Sequence, residues 1–318
     1  MRAAVSPHYG GPAVVTIEQR ERPRPGAGEV LVRVEAASVG AADSAARRGE
    51  PRLARLFFGP FAPRISVLGS DFAGEIVALG DGVTTFAVGD RVFGASGARM
   101  GCHAEYVVRP ASSAITHLPA GVSWQQAVAL TDGALTALPF LRDTGRVHPG
   151  QRVLVNGASG AVGSAAVQLA VHLGAHVTAV TSTANLGLAR SLGAQCVIDY
   201  TAADFTAGPE RYDIVFDAVG TSRFSRARRI LTPNGIYLST VPGAIMLQSL
   251  FTKRAAISFT GLRKDADKLP DLVELARLVS TGAITPLVDS EHPLDRIRDA
   301  HARVDSGRKR GTVVLAPR

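Results

Sequence analysis

The sequence predicts an α/β protein made of a doubly wound parallel sheet and a second, mostly antiparallel β domain. Three observations carry this. Roughly the first 120 residues alternate apolar and polar side chains between Gly, Asp and Pro turns; from Ser123 the apolar period becomes helical; and from Arg152 strands and helices alternate six times. A chain of 318 residues with 46% apolar side chains is longer than one core usually serves, so two domains are expected.

In order along the chain, residues 13–19 (AVVTIEQ), 29–39 (EVLVRVEAASV), 72–80 (FAGEIVALG) and 104–110 (AEYVVRP) read as strands, rich in Val, Ile and aromatics. Gly80-Asp81-Gly82 and Gly89-Asp90 carry turn chemistry, Gly for positive φ and Asp for local backbone hydrogen bonds. Residues 50–66, with Pro51, Pro60 and Pro63 among Phe57, Phe58 and Phe61, form a loop or short helix at the rim of a cleft. WQQAVALTDGALTALPFL then recurs at helical spacing. The parallel strands are expected at 152–156, 176–181, 196–199, 212–217, 235–240 and 256–260, with helices AVGSAAVQLAVHLG and LGLARSLG among them. A final helix, LPDLVELARLVSTG, leads to PLVD and TVVL strands that return to the first domain.

Charge and composition exclude several classes. The formal charge of +8 arises from 35 basic and 27 acidic residues, but it is spread along the chain. Only Lys253, Lys264, Lys268 and Lys309 are lysines, an arginine bias that fits a GC-rich genome better than a nucleic-acid footprint. Arg308-Lys309-Arg310 is the densest cluster, and Arg223, Arg226, Arg228 and Arg229 make a solvated helix face or a phosphate site. With aromatics at 6%, no stacking platform stands out, and no nucleic-acid partner is expected. No stretch nears the ~18 apolar residues of a membrane helix, and MRAAVSPHYGG lacks the ~7–15-residue apolar run of a signal peptide, so a soluble cytoplasmic protein is expected. Cys102 and Cys196 permit no disulfide framework and are expected as reduced, buried thiols. The histidines apart from His103 have no partners at ligand spacing and are expected at the surface. Cys102 and His103 are adjacent in a strand, which turns their side chains to opposite faces.

The strongest motif is Gly157-Ala158-Ser159-Gly160-Ala161-Val162-Gly163, placed after strand RVLVN and opening a helix. Gly157 allows the tight turn and Gly160 lets backbone approach a pyrophosphate. Gly163 lets helix and strand pack closely, and the helix N-terminus offers free N–H groups to the anion. A dinucleotide site follows, with Gly157, Ser159, Gly160, Ala161 and Val162 as contacts. An NAD(H) site would carry Asp or Glu at the end of the second strand for the ribose 2′-OH. Here that end reads Thr181-Ser182-Thr183-Ala184-Asn185, with no acid to repel a 2′-phosphate. NADP(H) is therefore expected, held by Thr181, Ser182 and Asn185, with Tyr200 and Arg190 as further candidates. Val219, Ser239 and Thr240, where later strands end, are expected to line the nicotinamide end.

Taken with GAGEVLVRVEAASV, VLGSDFAGEIVALGDGVTTFAVGDRVFG, LGAQCVIDY, YDIVFDAVG and PLDRIRDAHARVDSGRKRGTVVL, this stretch makes the chain resemble the medium-chain dehydrogenase/reductase superfamily, in its zinc-free quinone oxidoreductase-like branch. The resemblance spans nearly the whole chain. It implies a GroES-like domain at 1–122 and 265–318, a Rossmann domain at 123–264, a cleft where the nicotinamide lies, and a homodimer or homotetramer. At the positions of the zinc-bearing members' ligands this chain has Gly40, Ser70 and Asp132. Gly40 offers no donor and Ser70 a poor one, so no metal site is expected. Relatives' Asn at Gly40 and tyrosines at Ala45 and Pro51 are also replaced.

The resemblance implies hydride transfer from NADPH to a quinone or an α,β-unsaturated carbonyl, on a small hydrophobic substrate. Two alternatives stay open: a ketone or alcohol dehydrogenase on the same scaffold, and a basic cofactor-binding protein that binds RNA. Asp132 interrupts an apolar helical stretch beside the implied nicotinamide position, where a partly buried carboxyl can give up a proton near neutrality. It is the candidate catalytic residue. Its alternative is to cap a helix beginning at Gly133. Asp43 and Asp71 are expected in structural hydrogen bonds.

Overall fold

The computed structural model describes residues 1–52, 55–258 and 260–318. The chain forms two compact units: Met1–Asp132 with Gly261–Ser280 and Pro286–Arg318, and Gly133–Thr260 with Thr281–Thr285.

The first unit opens with antiparallel β1 (Arg2–Val5) and β2 (Thr16–Gln19). The strand expected from residue 13 starts late, because Pro12 fixes its own φ and begins a 3-10 turn over Pro12–Val14. The long β3 (Glu29–Val39) is followed by α1 (Ala41–Arg48) and the single turn α2 (Arg55–Phe58), the short helix the Pro-rich stretch suggested. Residues 53 and 54 of that stretch lie outside the described residues. Next come β4 (Asp71–Leu79), β5 (Arg91–Ala95), β6 (Tyr106–Pro110) and β7 (Ile115–His117). β3 pairs antiparallel with both β4 and β6, β4 with β5, and β5 with β7. Helix α3 (Trp124–Ala129) starts at a capping box, in which Ser123 Oγ accepts from the Gln126 N–H at 3.1 Å while Gln126 Oε1 accepts from the Ser123 N–H at 3.0 Å.

The second unit carries α4 (Leu135–Pro139) and the parallel sheet. Its strands are β8 (Arg152–Asn156), β9 (His176–Thr181), β10 (Cys196–Asp199), β11 (Tyr212–Asp217), β12 (Leu231–Ser239) and β13 (Ala255–Ile257). They are ordered β10-β9-β8-β11-β12-β13. α5 (Ala161–His172), α6 (Leu186–Ser191), α7 (Phe224–Ala227) and α8 (Ala244–Phe251) connect them. Order reverses beside β8, the switch point where such sheets bind ligands. The central strands are apolar runs buried on both faces, as helices on either side require. β12 begins four residues ahead of its expected start, and β13 ends at Ile257; Phe259, within the strand expected there, lies outside the described residues.

The chain then returns to the first unit with α9 (Asp265–Ser280), β14 (Val288–Pro293), α10 (Ile297–Asp305) and β15 (Thr312–Ala316). β15 lies between β14, to which it is parallel, and β3, to which it is antiparallel with Val313 opposite Val39. The tail thus closes the sheet that the first strands begin.

Two expectations about single residues are corrected. Cys196 is exposed, because it is the first residue of the edge strand β10, whereas Cys102 is buried and its thiol is pushed up to about 11 by that burial. His301 is fully buried rather than at the surface, because it occupies the inward face of α10, edge-on to His103 with ring centroids 5.8 Å apart. Among the described residues no helix is long and apolar enough to cross a membrane.

Candidate functional site

The glycine-rich turn of the second unit has the geometry its spacing requires. Gly157 has φ +81°, a left-handed conformation that side chains resist, and a Cβ there would stand 2.5 Å from Val219 Cγ1. A Cβ on Gly163 would stand 2.0 Å from Gly157 O, so the helix can approach the strand only with glycine at that point. At Gly160 the situation is opposite: a Cβ would meet only Gly157 O, at 3.6 Å. That open side faces the start of α5, where Ala161, Val162 and Gly163 have no preceding helical carbonyls to bond. Backbone N–H groups so placed are able to receive an anion.

Side chains gather at the end of β9. Thr181 Oγ1 donates to Ser159 Oγ at 3.1 Å, and Asn185 Nδ2 reaches both Ser159 Oγ and Ser182 Oγ at 3.2 Å. The Asn185 amide oxygen is buried with no hydrogen-bond partner, so it asks for a donor such as a ribose hydroxyl. Tyr200 is 57% exposed, its N–H on the Thr181 carbonyl at 3.1 Å. Arg190 is exposed on α6.

The expectation that no acid stands here is corrected. Asp199, at the end of β10, is in register with Thr181 and accepts from Thr183 Oγ1 at 2.5 Å. It also accepts from the N–H and hydroxyl of Thr201, at 2.9 and 2.6 Å. Side-chain hydrogen bonds from Thr183 and Thr201 hold its carboxyl below the usual range. The acid comes from the neighbouring strand, about 18 residues from Thr181, which a search along β9 alone misses.

At the other end of the carboxyl edge, Val219 is 44% exposed. Thr240 Oγ1 donates to Ala218 O at 3.2 Å, and Ser239 Oγ accepts from the Val241 N–H at 3.2 Å. Asp217, which sequence reasoning passed over, organises this loop. It is fully buried, and its Oδ1 accepts from Asn156 Nδ2 at 3.0 Å and from the N–H groups of Val219 and Gly220 at 3.2 and 2.8 Å. Its Oδ2 accepts from the Ser222 N–H at 2.9 Å and the Tyr237 hydroxyl at 2.8 Å. The available signal was an Asp ending an otherwise apolar strand.

The first unit holds three carboxyls around Gly40. Asp43 accepts from the N–H groups of Gly40 and Gly69 at 2.8 and 3.0 Å, and Asp71 from the hydroxyls of Ser38 and Ser70 at 2.7 and 2.8 Å. These are the structural bonds expected of them. Asp132 does not cap a helix: α3 has already begun at Ser123, and Asp132 sits in a widened turn, Leu130–Ala134, that carries the helix on to α4. Gly133 serves packing, since a Cβ there would stand 2.4 Å from Ala161 O. Asp132 Oδ2 accepts from Thr312 Oγ1 at 2.9 Å and lies 3.6 Å from Lys309 Nζ, with both charged side chains 14% exposed. Its Oδ1 would be 2.9 Å from a Cβ on Gly40. The carboxylate thus fills the space a side chain at residue 40 would need.

Burial raises Asp43 and Asp71 to about 7, and the charge of Asp132 adds to both. Burial lowers His103, whose Nε2 is 2.8 Å from Ser38 O, to about 4. The raised carboxyls hold protons in the folded state between about pH 4 and 7 that the unfolded chain releases, so they favour folding as pH falls through that window. His103 works against folding below about pH 6.5, where only the unfolded chain takes its proton. Asp71→Asn keeps an oxygen for both serine hydroxyls but removes one raised carboxyl. Relative to wild type it is expected to lose about 1.4 kcal/mol per pH unit on acidification between pH 6.5 and 5. Urea unfolding at four pH values checks this, and parallel stability profiles would refute the assignment.

Comparison with known proteins places these features in a family context. Residues 26–120 match the alcohol dehydrogenase GroES-like domain, and residues 192–315 match the zinc-binding dehydrogenase family. A chloroplastic quinone oxidoreductase of Triphysaria versicolor is 33% identical, covering all of this chain and 98% of its own. An NADPH-dependent alkenal/one oxidoreductase of Arabidopsis thaliana, also chloroplastic, is 29% identical over all of this chain and 80% of its own. The structure of the Escherichia coli quinone oxidoreductase in complex with NADPH superposes with a TM-score of 0.85 at 27% identity, covering both chains fully.

Proposed function

The chain belongs to the quinone oxidoreductase-like branch of the medium-chain dehydrogenase/reductase superfamily, and on that premise we propose that it reduces a quinone or an α,β-unsaturated carbonyl with NADPH. The observation that carries the reading is the open cradle at Gly160 beside the buried, unpartnered Asn185 amide oxygen. NADPH supplies the hydride. Gly157, Ser159, Gly160, Ala161 and Val162 hold the pyrophosphate on the α5 N-terminus. Thr181, Ser182, Asn185 and Tyr200 surround the ribose and its 2′-phosphate, while Asp199 is kept to Thr183 and Thr201 by hydrogen bonds. Val219, Ser239 and Thr240 line the nicotinamide end. Asp132 is the candidate for orienting the substrate or the group that protonates it.

We read the reaction as zinc-independent, because Gly40 has no donor atom and the space beside it is taken by the Asp132 carboxylate. The reading is of a homodimer, since Met246, Leu247, Leu250 and Phe251 expose apolar area on α8 beside the edge strand β13. Light scattering that gives a particle of 33.2 kDa would refute the dimer. The function is tested by NADPH and NADH consumption against a quinone, an aliphatic enone and a saturated ketone, with and without a chelator. Chelator-resistant turnover of quinone or enone with NADPH is expected. Turnover of the ketone alone would favour an alcohol dehydrogenase, and loss of activity with chelator would refute zinc independence.

A further inference from the structure

We propose that NADH is a second working coenzyme of this chain and that Asp199 is the residue that admits it. The inference rests on the reading above, in which a nicotinamide dinucleotide lies along the carboxyl edge of the parallel sheet. Every residue it uses belongs to the second unit. The two coenzymes differ at one point, the ribose 2′ position. NADH carries there a hydroxyl that donates and accepts, and NADPH a phosphate whose ionised oxygens accept.

Strand register puts Asp199 at that position. A site for NADH keeps an acid at the end of the second strand, and this chain has Thr181 there. Asp199 is the register partner of Thr181 on β10, one strand spacing of about 4.8 Å away. Thr181 is in turn tied to the glycine-rich turn through Ser159 Oγ, at 3.1 Å. The acid thus comes from the adjoining strand end in place of β9's own.

The protons around this acid are already committed. Thr183 Oγ1 and Thr201 Oγ1 each have one proton, and each gives it to Asp199, at 2.5 and 2.6 Å. The two hydroxyl oxygens, 3.0 Å apart, therefore turn only lone pairs to a ligand. Those same bonds hold the carboxyl below the usual range, so it is ionised at neutral pH. Asn185 adds a further acceptor: its Nδ2 is spent on Ser159 Oγ and Ser182 Oγ, both at 3.2 Å, and its amide oxygen is buried without a partner. Acceptors gathered around a carboxylate are matched by a ribose hydroxyl, which has a proton to give, and mismatched with a phosphate dianion, which has none.

Positive charge to offset this mismatch is sparse. Residues 175–206 include one arginine, Arg190, exposed on α6, and no lysine. Arg226 is engaged by Asp204 at 2.6 Å. The 2′-phosphate therefore relies mainly on neutral donors such as Ser182 and Tyr200, and the margin of NADPH over NADH is small.

The experiment uses the full chain with Asp199→Asn, which keeps the shape, removes the charge and presents an N–H to one threonine, so that this hydroxyl's proton is free for a phosphate. Thr183→Val, which removes one acceptor at an exposed position, is the second variant. kcat/KM is measured for NADPH and NADH with 1,4-benzoquinone and with 3-penten-2-one, alongside the melting temperature. Wild type is expected to use NADH within about tenfold of NADPH. Asp199→Asn is expected to shift that ratio toward NADPH by about tenfold, losing on NADH and gaining on NADPH, while Thr183→Val loses on NADH alone. A wild-type gap beyond tenfold, or equal losses on both coenzymes in Asp199→Asn, would overturn the proposal while leaving the proposed function standing. A chain that reduces neither substrate with either coenzyme would remove both.

Discussion

Replacing Asp217 by alanine is expected to lower the melting temperature by about 10 °C and to raise the KM for NADPH. Five donors converge on this fully buried carboxylate: the side chains of Asn156 and Tyr237 and the N–H groups of Val219, Gly220 and Ser222. Alanine leaves them without an acceptor in a region that admits little water, and each unsatisfied buried group costs about 1–3 kcal/mol. Relaxation lets some of them find other partners, so the net cost is about 3–5 kcal/mol, which at ~2–4 °C per kcal/mol gives the stated shift. Burial and the Asp217 charge also raise the Tyr237 hydroxyl well above its ordinary pKa, so the phenol stays a donor. Asp217→Asn retains the shape but offers an amide N–H to one set of donors, and an intermediate loss is expected. A melt of Asp217→Ala within 3 °C of wild type would show that the loop 218–222 has another anchor.

Ser182→Asp is expected to weaken NADPH about 100-fold while changing NADH less than about tenfold. The Ser182 hydroxyl accepts from Asn185 Nδ2 at 3.2 Å, in the cluster assigned to the 2′-phosphate. A carboxylate placed there would face that phosphate, and juxtaposed like charges cost several kcal/mol, with each 1.4 kcal/mol worth a factor of ten. With NADH the same carboxylate can accept from the ribose 2′-OH, so its effect is small or favourable. Steady-state KM values for both cofactors on one substrate check this. Equal losses with both would place the 2′ position elsewhere, and Asp199, on the neighbouring strand, would be the first residue to re-examine.

The fold was legible because its signals are periodic and local. RVLVN, HVTAVT and YDIVFD are apolar runs ended by turn chemistry, and each forms the strand its pattern predicts. The GxxGxxG turn was readable because each glycine answers a separate local demand: Gly157 is left-handed, Gly163 lies against Gly157 O, and the side of Gly160 is open. What escaped depends on partners distant in sequence. The capping alternative for Asp132 arose because Asp is a favoured N-cap residue, yet its partners are Thr312 and Lys309, some 180 residues on. Asp199 was hidden for a similar reason, since it meets Thr183 only once β10 lies against β9. His301 reads as one polar residue of DAHARVD, and nothing local says that the inward face of α10 includes it.

The position of β15 bears on how the molecule is made. The parallel-sheet unit draws its strands from one nearly continuous stretch, whereas the other unit's sheet needs β15, the last strand in the sequence, between β14 and β3. On the ribosome the parallel sheet can therefore assemble while the Ala37–Val39 end of β3 still waits, bare on one side, for a partner encoded some 270 residues later. A chain broken off before Thr312 would keep its parallel sheet intact and leave its other sheet unsealed, exposing an edge that recruits neighbours into aggregates. Quality control of this protein therefore rests on the arrival of one late strand.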